Sequence, residues 1–253
     1  MEKNLIYLDP DSELNLQDQI RQKLVEAIVL GTFPPGRRLP SSRKLADQLG
    51  VARNTVNKLR LQVEAGSIAL EVFNKNPNHP CGAHYSIHAF DNPDLARLAL
   101  PSAKRYSKIA PASHHAQHMS AHIFVQLGMW ADAVDSNTNG WKTSVDWVEK
   151  KNLSLSKRDY HSLQWLHYSL LQQGLIDEAA SIFAIQQKDM AEGIQTQSNL
   201  RAGKYYYRML AASFIETENW EFIEKFSPPD GWKPKSFSEA GYRFALGFSA
   251  AMQ

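Results

Sequence analysis

Two sets of residues in this sequence have types and spacings that could do chemistry. The first is cationic. Between Pro34 and Val63 stand seven basic residues, Arg37, Arg38, Arg43, Lys44, Arg53, Lys58 and Arg60, against one acid, Asp47. Residues 67–253 carry 18 charges of each sign, so the positive excess is local. Arginine and lysine gathered on a small helical unit are the electrostatic footprint of phosphate binding. The plainer reading of the same charges is the solvated surface of a helical hairpin. The second set is imidazole. His84/His88 and His118/His122 are i,i+4 pairs, each on one face of a helix, and His115 joins the second pair three residues earlier. Such imidazoles could bind zinc or another borderline metal. They could equally hold an anionic ligand or a peptide carboxylate, or be packing and surface residues.

Signatures of an enzyme are lacking. The sequence has no His-Glu-x-x-His, no phosphate-cradling Gly-x-x-x-x-Gly-Lys and no Gly-x-Ser-x-Gly elbow. Cys81, the one cysteine, lies near His79 and His84, but a lone cysteine beside histidines is more often incidental than catalytic. No enzymatic activity and no cofactor are expected, and a bound metal is left open.

The elements that must position the basic residues are short helices. Ser41 or Ser42 can cap a helix by accepting an orphan backbone N–H. Leu45, Ala46 and Leu49 give that helix an apolar face, and Gly50 supplies the left-handed residue that ends it. Asn54 or Thr55 starts a second helix with Val56, Leu59 and Val63 on its apolar side. Helix, glycine turn and a second helix with a polar, basic start form a helix-turn-helix, whose second helix enters the major groove of DNA. Upstream, Leu16, Ile20, Leu24, Ala27 and Ile28 recur at helical spacing within 14–30. Gly31 and the Thr32–Gly36 loop close that helix.

Residues 14–63 resemble the N-terminal DNA-binding domain of the GntR family of bacterial transcription regulators. The matching text is Leu16-Gln-Asp-Gln-Ile20 and the run from Ile28 through Pro34-Pro-Gly-Arg-Arg-Leu-Pro-Ser-Ser-Arg-Lys-Leu-Ala to Val56. The resemblance implies that Arg43 and Arg53 touch DNA phosphates or base edges, with Ser41, Thr55 and Lys58 nearby. For a regulator of this type, Arg37, Arg38, Arg43 and Lys44 would hold phosphates. Arg53, Asn54, Thr55 and Lys58 would approach bases. The glycine-rich hairpin that forms the wing in that family has no counterpart after Gly66.

Beyond Ala65 the sequence repeats. A shift of 34 residues places Ala65 on Ala99, Ala99 on Ala133, and Pro77 on Pro111. It also lays His84-Tyr-Ser-Ile-His-Ala-Phe90 on His118-Met-Ser-Ala-His-Ile-Phe124. That period belongs to helix–turn–helix units that stack into solenoids. Leu127-Gly-Met-Trp-Ala-Asp-Ala133 and Gln173-Gly-Leu-Ile-Asp-Glu-Ala179 both read as the turn inside such a unit. Their separation of 46 residues places an extension within Trp141–Ser156. Residues 67–250 resemble a bacterial family of uncharacterised tetratricopeptide-repeat proteins, a resemblance that carries no activity. Trp130, Trp141, Trp147, Trp165 and Tyr205–Tyr207 read as interhelical packing, with an aromatic-lined groove as the alternative. Further helices are expected at 158–173, 176–191, 196–216 and 236–252, with a loop at Pro228–Pro234.

The expected fold is all-α, a helix-turn-helix domain at 1–66 followed by a tetratricopeptide-like helical-hairpin solenoid at 67–253. The junction puts Glu64–Asn76 where the second helix of a repeat belongs. Gly66 would be the only hinge, and the DNA-binding part would cover the solenoid's open end. The N-terminus has no apolar core of signal-peptide length and no run approaches the ~20 apolar residues of a membrane span, so a cytoplasmic protein is expected. The expected partners are double-stranded DNA, a protein or peptide in the solenoid groove, and a second copy of the chain, since two half-sites are normally read by a dimer. Two alternatives stand beside this reading. One is an interaction scaffold without effective DNA binding. The other is a metal or ligand sensor using the histidine pairs.

Overall fold

The structure, a computed structural model, describes residues 9, 12, 19, 20, 22, 23, 26, 27, 41–51, 53–196, 202–219, 240, 243, 244, 246–248, 250 and 251. Among these every regular element is helical and there is no strand. The chain divides into two compact units. One holds residues 1–110 with 122–127, the other 111–121 with 128–253.

The first unit contains α1 (Ser42–Leu49), α2 (Arg53–Lys75), α3 (Pro80–Ala89), α4 (Ala96–Ile109) and the last turn of α5 (His114–Gln126). Helices α1 to α4 pack each on the next in chain order. Leu45, Ala46, Val56 and Val63 are buried, as the expected apolar faces require, and Ile20 and Ala27 of the upstream segment are buried too. Leu16, Leu24, Ile28 and the loop at 32–36 lie outside the described residues.

Helix α2 changes the expected junction. It runs unbroken for 23 residues through Gly66. The reading of Gly66 as a hinge is therefore corrected: it is a contact point. A Cβ at Gly66 would overlap the outer edge of the Phe90 ring, so the missing side chain lets α2 and the end of α3 approach closely. Nor is the second half of α2 covered as expected. Ile68 and Val72 remain exposed, the former 56%.

The second unit holds the start of α5, α6 (Trp130–Lys150), a 3-10 turn (Leu155–Lys157), α7 (Tyr160–Leu171), α8 (Ile176–Gln195) and α9 (Ala202–Thr217). Residues 240, 243, 244, 246–248, 250 and 251 are helical. The loop at Pro228–Pro234 lies outside the described residues. Trp141, Tyr160, Phe183, Tyr206, Tyr207 and Leu210 build the core, whereas Trp147 is exposed.

The repeat shows in where helices begin. Helix α5 starts 34 residues after α3, and α6 starts 34 after α4. Helices α7 and α8 start 46 residues after α5 and α6. Gly128 and Gly174, at φ +67° and +70°, make the turns before α6 and α8. Ala133 and Ala179 are buried one turn further on. The extension takes the form of a longer α6 and the 3-10 turn. Arg158 fastens it to α8: its Nη1 donates to both oxygens of Asp189 at 2.7 Å, where Tyr160 Oη also donates at 3.2 Å. Among the described residues no helix is long and apolar enough to cross a membrane.

Candidate functional site

The helix-turn-helix is built by its caps. Ser41 Oγ accepts from the Lys44 N–H at 3.2 Å, satisfying a donor at the start of α1. Gly50, at φ +65°, ends α1 with its N–H on the Ala46 carbonyl. The Val51 N–H bonds the same carbonyl at 3.0 Å. Helix α2 then begins at Arg53, one residue before the expected start. With Leu45, Ala46, Val56 and Val63 turned inward, Arg43, Lys44 and Arg53 stand exposed. Ser41 is exposed as well; its oxygen serves the cap while its O–H can donate outward. Asn54, Thr55 and Lys58 hold helical positions in the first turns of α2, Lys58 standing three and four residues after the other two. Their side chains, and Arg37 and Arg38 altogether, lie outside the described residues.

The histidines of the first unit form a second constellation. On α3, His84 Nε2 and His88 Nε2 are 3.1 Å apart. The His84 ring stacks on Tyr106, centroids 5.5 Å apart and planes at 23°. His88 is exposed, and its ring centroid is 6.5 Å from that of His122. His122 Nδ1 donates to Asp91 Oδ2 at 2.8 Å, and Gln126 Nε2 donates to Asp91 Oδ1 at 3.0 Å. Burial alone would raise the Asp91 carboxyl, but the hydrogen bonds from His122 and Gln126 and the nearby imidazoles outweigh it and hold the group low. Partial burial, then His122, lower His88 against the opposing pull of Asp91.

His118 sits differently, in the second unit. It is buried, with Nδ1 2.6 Å from Asn137 Oδ1. Asn137 Nδ2 donates to the Ala133 carbonyl at 2.8 Å, which identifies Oδ1 as the acceptor and puts the His118 proton on Nδ1. The rings of His161 and Trp165 stand edge-on to His118 at 4.6 and 5.4 Å. Asp159 caps α7 and accepts from Ser162 Oγ at 2.6 Å, with His114 Nδ1 at 3.2 Å. Burial would raise Asp159; the hydrogen bonds from His114 and Ser162 and the nearby His118 reverse this and hold it well below the carboxylate range.

Sequence reasoning missed Asp91, Gln126 and Asp159. Gln126 had a signal, its i+4 spacing from His122. Asp91 and Asp159 lie in connections between helices, where spacing gives none. An apolar cleft of about 620 Å³ lies beside the first constellation, lined by Ile68, Val72, Cys81, Tyr85, His88 and neighbours. Tyr85 is 59% exposed. His79 Nδ1 accepts from the Gly82 N–H as the cap of α3, and Cys81 beside it is exposed.

Residues 16–64 match the bacterial regulatory proteins of the gntR family. The "HTH-type transcriptional regulator Rv1152" of Mycobacterium tuberculosis is 45% identical over 66 residues, 26% of this chain and 54% of that protein. The "HTH-type transcriptional regulator TauR" of Rhodobacter capsulatus is 50% identical over 50 residues, 20% of this chain and 10% of its own length. The "HTH-type transcriptional repressor YtrA" of Bacillus subtilis is 36% identical over 64 residues, 25% of this chain and 49% of that protein. The chain thus spans at most about half the length of these relatives. No solved structure matches the chain significantly.

Proposed function

We propose that this chain is a DNA-binding transcription regulator of GntR type. Its first domain, 1–66, reads double-stranded DNA. Its second, 67–253, is a tetratricopeptide-like helical array that binds a partner protein, peptide or ligand. The observation that carries the reading is the capped turn between Ser41 and Arg53, which exposes Arg43, Lys44 and Arg53 within the stretch that matches the family. Arg37, Arg38, Arg43 and Lys44 hold phosphates and fix the register. Arg53, Asn54, Thr55 and Lys58 open α2 and reach base edges in the major groove. Ser41 donates to a phosphate from its capping position. The chain acts in the cytoplasm, without enzymatic activity, as a homodimer on two half-sites.

The test is binding of the full chain to a pool of random duplex DNA across a salt series, with Arg43→Ala/Arg53→Ala as control. The reading expects enrichment of one sequence and its loss in the double variant. Binding that selects no sequence and survives both substitutions would overturn it.

A second reading has its own support. The open apolar cleft on α2 and α3 suits an interaction scaffold in which the helix-turn-helix is a structural cap. A monomer without sequence-selective DNA affinity would decide for it.

A further inference from the structure

We propose that the exposed apolar stripe of α2 is a self-association surface, on which α2 of a second copy of this chain lies antiparallel, in the groove between α2 and α3. The proposal rests on the regulator reading for one step, the spacing of half-sites. Along α2, Val63, Ala69 and Phe73 turn inward. Leu61, Ala65, Ile68 and Val72 are all exposed, and they follow one another at intervals of four, three and four residues. That is the spacing of a coiled-coil seam, an apolar line repeating every 3.5 residues. The next positions outward, Lys58 and Lys75, are charged and close the seam at both ends. Lys75 is paired with Glu71 of its own helix at 2.6 Å.

The seat suits a helix. The apolar cleft takes in this stripe and is lined on the α3 side by the exposed Tyr85 and Cys81. In the proposed array each hairpin supplies two antiparallel helices, and the second half of α2 holds the place of a second helix. Thirty-four residues before α3 starts, the chain is in α1, which has eight residues and leaves Ile68 and Val72 open. The place antiparallel to α2 is thus unfilled. The partner's α2 fills it, and two-fold symmetry makes the exchange mutual. With the axis midway between Ala65 and Ile68, Leu61 meets the partner's Val72 and Ala65 meets the partner's Ile68. At about 1.5 Å per residue, residues 54–58 of the two copies then stand about 25–38 Å apart along the pair. Half-sites one turn of DNA apart need about 34–36 Å, which lies within that span. A parallel pair would hold both helix starts only about 10 Å apart, too close for two half-sites.

The experiment measures the mass of the full chain by sedimentation equilibrium over a range of concentrations, without DNA. A monomer–dimer equilibrium is expected. Ile68→Glu buries two like charges beside the two-fold axis and should weaken the dimer at least about 100-fold. Ile68 is on the surface, so this variant keeps the thermal midpoint of dilute wild type and reports on association alone. The register is tested in a Cys81→Ser background. Leu61→Cys mixed with Val72→Cys should give a disulfide-linked dimer on mild oxidation. Leu61→Cys alone should not, because its counterpart stands about 16 Å away along the pair. Wild type that stays monomeric at every concentration, an Ile68→Glu chain that dimerises as wild type does, or cross-linking by Leu61→Cys alone would each overturn the proposal. A dimer that forms as expected but selects no DNA sequence supports this surface and overturns the regulator reading. A monomer that selects a sequence overturns this surface and leaves that reading in place.

Discussion

A histidine's role here is set by what meets its ring nitrogens. His122 is turned by Asp91, His118 by Asn137 and His114 by Asp159. His167 differs: it is buried 6.0 Å from the Phe183 ring, with Nε2 3.0 Å from Ser213 Oγ and, among the described residues, no carboxylate paired with it. Burial lowers its pKa from 6.5 to about 4. Between those values the unfolded chain takes up a proton that the folded chain refuses. Stability from this group is therefore complete above pH 6.5 and falls as the pH drops toward 4, by about 3 kcal/mol in all. His167→Gln should remove that part of the acid loss. Urea midpoints of both proteins at pH 7.5 and 4.5 will show it: the wild type should lose more on acidification than the variant. Parallel losses would mean that His167 is not refused its proton.

At the scale of the element, α2 ties the helix-turn-helix to the histidine-bearing helix. Its first turns carry Arg53 and its second half packs on α3. The contact at Gly66 and Phe90 admits no Cβ. Gly66→Ala would gain up to ~1 kcal/mol of helix propensity, yet overpacking costs about 1–3 kcal/mol, so net destabilisation is expected. Combined with Phe90→Ala, the same glycine change should become neutral or stabilising. A double-mutant cycle in urea measures this, and strict additivity would refute the contact. The site also shows what sequence makes legible. Ser41, Gly50, Val56 and Val63 act within a few residues of themselves, so caps and apolar spacing read directly. The 34-residue echo of the His pairs likewise equals the spacing of the helix starts at Pro80 and His114. Gly66 did not read, because a glycine in sequence signals a break or a close approach alike. Only Phe90, 24 residues away, decides between them. The different partners of His118 and His122 were invisible for the same reason: Asn137 and Asp91 arrive from other helices and loops.

For the whole molecule the deciding quantity is where charge sits. The net charge of +2 is small, yet residues 34–63 carry seven cations against one anion while 67–253 balance. In the proposed regulator, attraction to DNA is therefore concentrated at one end of the sequence, and the balanced charge of the remainder neither adds to it nor opposes it. Each phosphate neutralised releases counterions and adds about −0.9 to the slope of log affinity against log salt. If Arg37, Arg38, Arg43 and Lys44 each take one phosphate, a single chain gives a slope near −3.6 and a pair of chains on two half-sites about −7. Four phosphates are too few for tight specific binding, so the pair is the expected species and the steeper slope the expected result. Arg43→Ala should reduce the slope by about 2 in a dimer and by about 1 in a monomer. A slope near −3.6, lowered by about 1 in the variant, would show that one copy binds alone. It would remove the homodimer from the proposal while leaving the phosphate contacts in place.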